Sequence, residues 1–208
     1  MKLNKRAEEK KQEVFEIAKN TIAPHFSNPE KLSTKIIDHF CRITPPEIDD
    51  TPITKIDTTL HIFLNIQPGG LGGARSSKPG NILLNWRKLL IDASESILTI
   101  VGAVTVPWLI PLAGLVVWNK VWSLSSIEID ERHAAVIWTM WKNRDEENCI
   151  KNDKVLGLVN NELSKYNRPM MNEKELKDIL KDLEEMECVE SMEEDKWWLR
   201  EWVKTTYE

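Results

Sequence analysis

The sequence predicts a mainly α chain: a helical N-terminal region containing a hydrophobic helix or helical hairpin, then an α+β C-terminal domain. Three observations carry that expectation. Apolar residues return at helical spacing through most of the 208 residues. One window, 96–119, holds no charged residue. The final stretch passes from three helical patterns to an alternating, strand-like one. With 41% hydrophobic residues, the chain is composed like a folded protein rather than a disordered one.

Residues 2–22 read as a charged helix whose thin apolar stripe is Leu3, Ala7, Val14, Ala18 and Ile22, interrupted by Lys11. Its lysines suit an anionic lipid surface, but Glu8, Glu9, Glu13 and Glu16 dilute that field and favour a solvated helix face. Asn28-Pro29 opens a second helix carrying Leu32, Ile36, Ile37, Phe40 and Ile43, which Pro45-Pro46 ends. The stretch 58–67 fits a strand or a helix, and helix is preferred because no partner strand is evident nearby. A Gly-, Ser- and Pro-rich linker over 68–81 closes this N-terminal helical region of residues 1–67. It lacks the Gly-Lys-Ser/Thr ending of a phosphate loop.

Asn81 is the expected N-cap of a helix with Ile82, Trp86, Leu89, Leu90, Ala93, Ile97, Ile100, Val101 and Val104 in continuous helical spacing. The region 82–126 is amphipathic up to Glu95 and apolar on every face from Ser96 to Asn119. About 20 apolar residues suffice to cross a ~30 Å hydrocarbon core. Trp118 and Trp122 stand beside Lys120 where interfacial aromatics belong. The expected membrane segment is therefore 97–118, marked by Ile97, Ile100, Val104, Trp108, Leu112, Val116 and Trp118. Pro107 and Pro111 argue against one unbroken rod. Two short helices forming a re-entrant hairpin, or the buried core of a soluble helical domain, are the alternatives.

In 127–208, Asp130 is a natural N-cap for a helix bearing Ala134, Ile137, Trp138 and Trp141. Asn152 or Asp153 opens a second helix with Val155, Leu158, Val159, Leu163 and Tyr166 on one face. Asn172 and Glu175 resemble a capping box before a third, with Leu176, Ile179, Leu180, Leu183 and Met186 as its buried stripe. A short strand at CVES, a tip at Met192 to Asp195 and an alternating KWWLREWVK strand read as a β-hairpin. With its own apolar stripes and a hairpin to cover them, this part is expected to fold alone.

Three helices followed by a hairpin resembles a winged helix-turn-helix. In members that read DNA, the third helix enters the major groove and the wing touches the backbone. Here residues 173–187 set Lys174, Lys177 and Lys181 against Glu173, Glu175, Asp178, Asp182, Glu184, Glu185 and Glu187, and the hairpin tip adds Glu190, Glu193, Glu194 and Asp195. That field repels phosphate, so the resemblance implies a protein-interaction module rather than a DNA reader. Trp198, Trp202, Glu184 and Glu193 are the candidate protein-binding residues, the two tryptophans sharing one face of the expected last strand. Packing of that face on the helical half is an equal alternative.

The charge division agrees. Residues 1–126 carry 15 Lys and Arg against 12 Asp and Glu, residues 127–208 carry 13 against 21, and the net charge of −5 comes from the second part. Cys41, Cys149 and Cys188 are widely spaced with no CxxC pair, which suits a reducing, intracellular compartment, and residues 1–20 lack the apolar core of a secretory signal. The four histidines lie apart, and no nucleophile, phosphate-loop or metal motif occurs, so no catalytic residue, metal or cofactor is expected. The sequence thus points to a non-enzymatic, membrane-associated protein on the cytoplasmic side. Its acidic winged helix would bind a protein partner or control self-assembly, by analogy a membrane-acting effector. A cytoplasmic soluble adaptor or complex subunit with the hairpin buried, and a DNA-binding transcriptional regulator, are the rivals.

Overall fold

A computed structural model describes residues 2–24, 26, 28–49, 76–90, 106–122, 127–193 and 195–207. Its helices are α1 (Lys2–Ile22), α2 (Pro29–Phe40), α3 (Leu109–Trp122), α4 (Glu131–Asn143), α5 (Asn152–Lys165) and α6 (Glu173–Glu185), with a further helical stretch over 86–90. The strands are β1 (Cys41–Thr44), β2 (Glu47–Asp49), β3 (Ser76–Lys78), β4 (Gly80–Asn85), β5 (Cys149–Lys151), β6 (Val189–Met192), β7 (Lys196–Leu199) and β8 (Trp202–Tyr207). They form two three-stranded antiparallel sheets, β1-β4-β8 and β5-β7-β6, and a β2-β3 ribbon. The architecture is an α+β mixture: the helical content that the periodicity suggests is present, and small antiparallel sheets are added to it.

The stripe Val14, Ala18 and Ile22 of α1 recurs every fourth residue and is buried. Val14 and Ala18 pack with Ile37 of α2, Ile82 of β4 and Val117 of α3. The charged helix that looked solvated thus contributes one face to the core.

Helix α3 lies against α1 on one side and α4 on the other. Residues 110–119 are buried at every position but Val116, which is half-buried. An all-round apolar helix is what such a sandwiched position demands. Pro107 precedes the helix and Pro111 sits in its first turn, where backbone N–H groups have no intrahelical acceptor, so both mark its start rather than break it. Trp108 donates to Glu131 at 2.9 Å, and Trp118 to the Met186 carbonyl at 2.9 Å. These indole N–H groups are satisfied by protein instead of a lipid interface. Among the described residues no helix is long and apolar enough to cross a membrane. Of the expected membrane-facing positions, Trp108, Leu112 and Trp118 are core and Val116 packs against it. Ile97, Ile100 and Val104 lie outside the described residues, as do the stretch 58–67 and most of the expected linker.

Four boundaries shift. Asn81 caps no helix, because it lies within β4, and the helical stretch begins only at Trp86. Residues 76–78 and 80–81, expected in the linker, are strand. Ile43 belongs to β1 rather than to α2. The expected last strand is two strands in different sheets, because the chain turns at Arg200 and Glu201. There the Arg200 N–H donates to the Cys188 carbonyl and the Arg87 N–H to the Glu201 carbonyl. From that turn β8 runs along β4, pairing Val203 with Leu84 and Tyr207 with Gly80. The C-terminal strand therefore returns across the boundary expected at residue 127.

Candidate protein-interaction surface

Helices α4 and α6 start on side chains the sequence advertises, whereas α5 follows Lys151 with no side-chain cap. The Asp130 carboxylate accepts from the Arg132 and His133 amides at 2.9 and 3.2 Å, and the Asn172 side chain accepts from the Glu175 amide at 2.9 Å. At its far end α6 closes with Glu187 in the left-handed region, φ 56°, and the Cys188 N–H donates to the Leu183 carbonyl. Helix α6 buries Leu176, Ile179, Leu180 and Leu183.

The opposite face of α6 exposes Glu173, Asp178, Glu184 and Glu185 together with Lys174, Lys177 and Lys181. Lys181 pairs with Glu185 along the same helix at 3.6 Å. Glu184 also accepts from the Ser191 amide at 3.0 Å, tying α6 to β6. Glu193 is exposed in the β6–β7 turn, where Asp195 has φ 57° and accepts from the Asn152 side chain. Glu184 and Glu193 thus stand on one helix and the turn that follows it.

The tryptophans do not form the shared face expected of them. Trp197 turns inward and donates to Asn152 at 3.1 Å. Trp198 sits on the other face of β7, between Cys149 and Glu190, with the Arg200 guanidinium 5.8 Å from its ring and bonded to Glu190 at 2.8 Å. Trp202 belongs to the β1-β4-β8 sheet and is 50% exposed. The alternation in KWWLREWVK is interrupted by the turn, so Trp198 and Trp202 lie on different surfaces, and neither is packed away under the helical half.

Sequence reasoning also missed His133. It is buried between α4 and α6, with Nδ1 2.7 Å from Asp130 Oδ1 and Nε2 3.2 Å from Asp182 Oδ2. An imidazolium donates to both carboxylates; the neutral Nε2–H ring donates to Asp182 and accepts the Asp130 N–H at Nδ1, 3.3 Å away. A cleft of about 330 Å³ opens here, lined by Asp130, Arg132, His133, Lys174, Glu175, Asp178 and Asp182 among others. Arg132 and Glu175 pair across it. Burial pushes the His133 pKa down, but the hydrogen bonds and charges of Asp130 and Asp182 outweigh it, and the net shift is upward. Burial likewise pushes Asp130 up, His133 pulls it down, and the net shift is downward.

A raised histidine pKa stabilises the fold fully below the unfolded value of about 6.5, and that increment disappears as pH rises through the folded value. The melting temperature should therefore decline as pH rises above about 6.5, and His133→Gln should flatten the decline. An identical slope in the variant would place the titration elsewhere.

The thiols are quiet. Burial pushes Cys41 up to about 12 and Cys188 further, and burial with Asp145 and Glu147 raises Cys149. Among the described residues no group of three or more His, Cys, Asp or Glu side chains is arranged to hold a metal ion. The chain matches no protein-family model, no curated protein and no solved structure.

Proposed function

We propose that this chain is a protein-interaction subunit, built on an acidic winged-helix-like unit whose apolar companion segment serves as internal core. The observation that carries the reading is the packing of α3 between α1 and α4, which accounts for the most membrane-like sequence in the chain without a bilayer. Helix, strand, two helices and two strands over α4-β5-α5-α6-β6-β7, with strand order β5-β7-β6, supports the winged-helix description. In that description α6 is the helix that would read DNA. Its exposed face and the β6–β7 turn carry an excess of carboxylates, so their field favours a cationic protein surface over a polyphosphate. This is the adaptor or complex-subunit reading, in preference to a membrane-inserted effector or a transcriptional regulator.

Two measurements test it together. Titrated into labelled duplex DNA at about 150 mM salt, the full chain should give no saturable binding. Cross-linking in source cells should place partner proteins on α6 and the β6–β7 turn. Sub-micromolar, sequence-selective DNA binding, or partner cross-links that avoid those two elements, would overturn the proposal.

A further inference from the structure

The outer face of the β1-β4-β8 sheet differs from the rest of the surface. Period-2 alternation turns Ile82, Leu84 and Val203 into the core, each 2% exposed. The opposite side presents a cross-strand row of Arg42, Leu83 and Lys204, with Trp202 two residues along from Lys204 and facing Asn85. Arg42 and Lys204 are exposed, and among the described residues neither meets a carboxylate. Thr44, Asn81 and Thr206 complete the face, so it holds no acid. At its Trp202 end Lys88 adds exposed positive charge, while Arg87 and Glu201 pair with each other at 3.1 Å. The strands β1 and β8 are the two edges of this sheet. Edge lysines and arginines discourage indiscriminate strand pairing, but that role does not need a half-exposed tryptophan beside them. An exposed tryptophan on a face whose charged side chains are all basic has the composition of an anchor in a protein interface.

We propose that this basic, tryptophan-bearing sheet face docks the acidic face of α6 and the β6–β7 turn of a second copy of the chain. A second copy is the occupant because the complementary surface is on the molecule itself. Glu173, Asp178, Glu184 and Glu185 are exposed on α6, and Glu193 and Asp195 are exposed in the turn. The inference rests on the reading of that acidic face as a protein-interaction surface and names its partner. The two faces differ, so the contact is heterologous: a docked pair still offers one unused face of each kind, and association continues into rings or open chains rather than stopping at a dimer. The contact is mainly electrostatic at its rim, so its strength follows ionic strength.

Sedimentation of the full chain should show a mass that grows with concentration at about 50 mM salt and returns to monomer near 1 M, where the screening length is about 3 Å. The variant Arg42→Glu/Lys204→Glu and the variant Glu185→Lys/Glu193→Lys should each be monomeric at low salt. Mixed together they should associate, because each retains the face the other has lost. Lys31→Glu/Lys154→Glu changes the net charge by the same amount as the first variant at exposed positions elsewhere, and it should behave as wild type. Should Arg42→Glu/Lys204→Glu fail to fold by circular dichroism, Trp202→Ala replaces it, with at least a tenfold weakening of self-association expected.

A wild-type chain that stays monomeric at low salt overturns this inference. If cross-links to a foreign protein still map to α6, the functional reading above survives that failure. Self-association that ignores Glu185→Lys/Glu193→Lys overturns the pairing proposed here and removes support from the acidic face as well. Saturable quenching of Trp202 by a single-stranded oligonucleotide, lost in Trp202→Ala, would assign the sheet face to nucleic acid instead.

Discussion

Replacing Leu115 by Asp should unfold the chain. Leu115 is fully buried in α3, and its neighbours Ala113, Gly114 and Val117 are buried too. A carboxylate placed there loses its water and gains no partner, on top of the lost leucine contacts. The combined cost of about 4 kcal/mol or more is a large share of the 5–15 kcal/mol that holds a typical domain together. Circular dichroism melts should show loss of the cooperative transition and aggregation at low temperature. A milder companion is Gly114→Val. A Cβ at Gly114 would lie 2.1 Å from Leu89 Cδ2 and 3.3 Å from the Trp86 ring, both fully buried, so overpacking should cost roughly 1–3 kcal/mol. A Leu115→Asp protein that stays folded, or that merely moves from a membrane pellet to the supernatant, would show that α3 is not core.

The contrast between core and span explains what sequence could and could not reveal. Hydrophobicity alone does not distinguish a helix sandwiched between two protein layers from one surrounded by lipid, since both must be apolar on every face. The prolines did carry usable information: Pro107 and Pro111 stand at the start of α3, at the position where the sequence suggests a break. The caps Asp130 and Asn172 and the turn from Met192 to Asp195 were legible because each is set by a few neighbouring residues.

Strand β4 was not legible. Ile82, Leu84 and Trp86 alternate as a strand should, yet Ile82, Trp86, Leu89 and Leu90 also satisfy a helix, and the tie is broken only by β1 and β8, which come from distant parts of the chain. The same distance hid the sheet face itself, whose Arg42, Leu83 and Lys204 meet only after folding. His133 was hidden for a related reason: its second carboxylate, Asp182, is supplied by α6 rather than by its own helix.

Excised as residues 127–207, the C-terminal part should fail to show the stability of the full chain, contrary to what its self-contained stripes suggest. In α4 the four successive residues Ala134, Ala135, Val136 and Ile137 are all 0% exposed. At 100° per residue, four in a row face nearly every direction around the helix, so α4 is covered on opposite sides. Helices α5 and α6 supply one side and α3 the other. Excision removes α3, takes the Trp118 donor from the Met186 carbonyl, and leaves β8 without β4 although Val203 is core. A vacated face of this kind exposes several side chains worth roughly 1.5–3 kcal/mol each and offers an apolar patch to other molecules. The full chain should melt in one cooperative transition. The fragment should melt at least 10 °C lower or aggregate, as expected when several kcal/mol are lost from about 80 residues. An excised fragment with the melting temperature of the parent and well-dispersed amide resonances would make the C-terminal unit an independent domain, with β4 and α3 as lodgers on its surface rather than parts of its core.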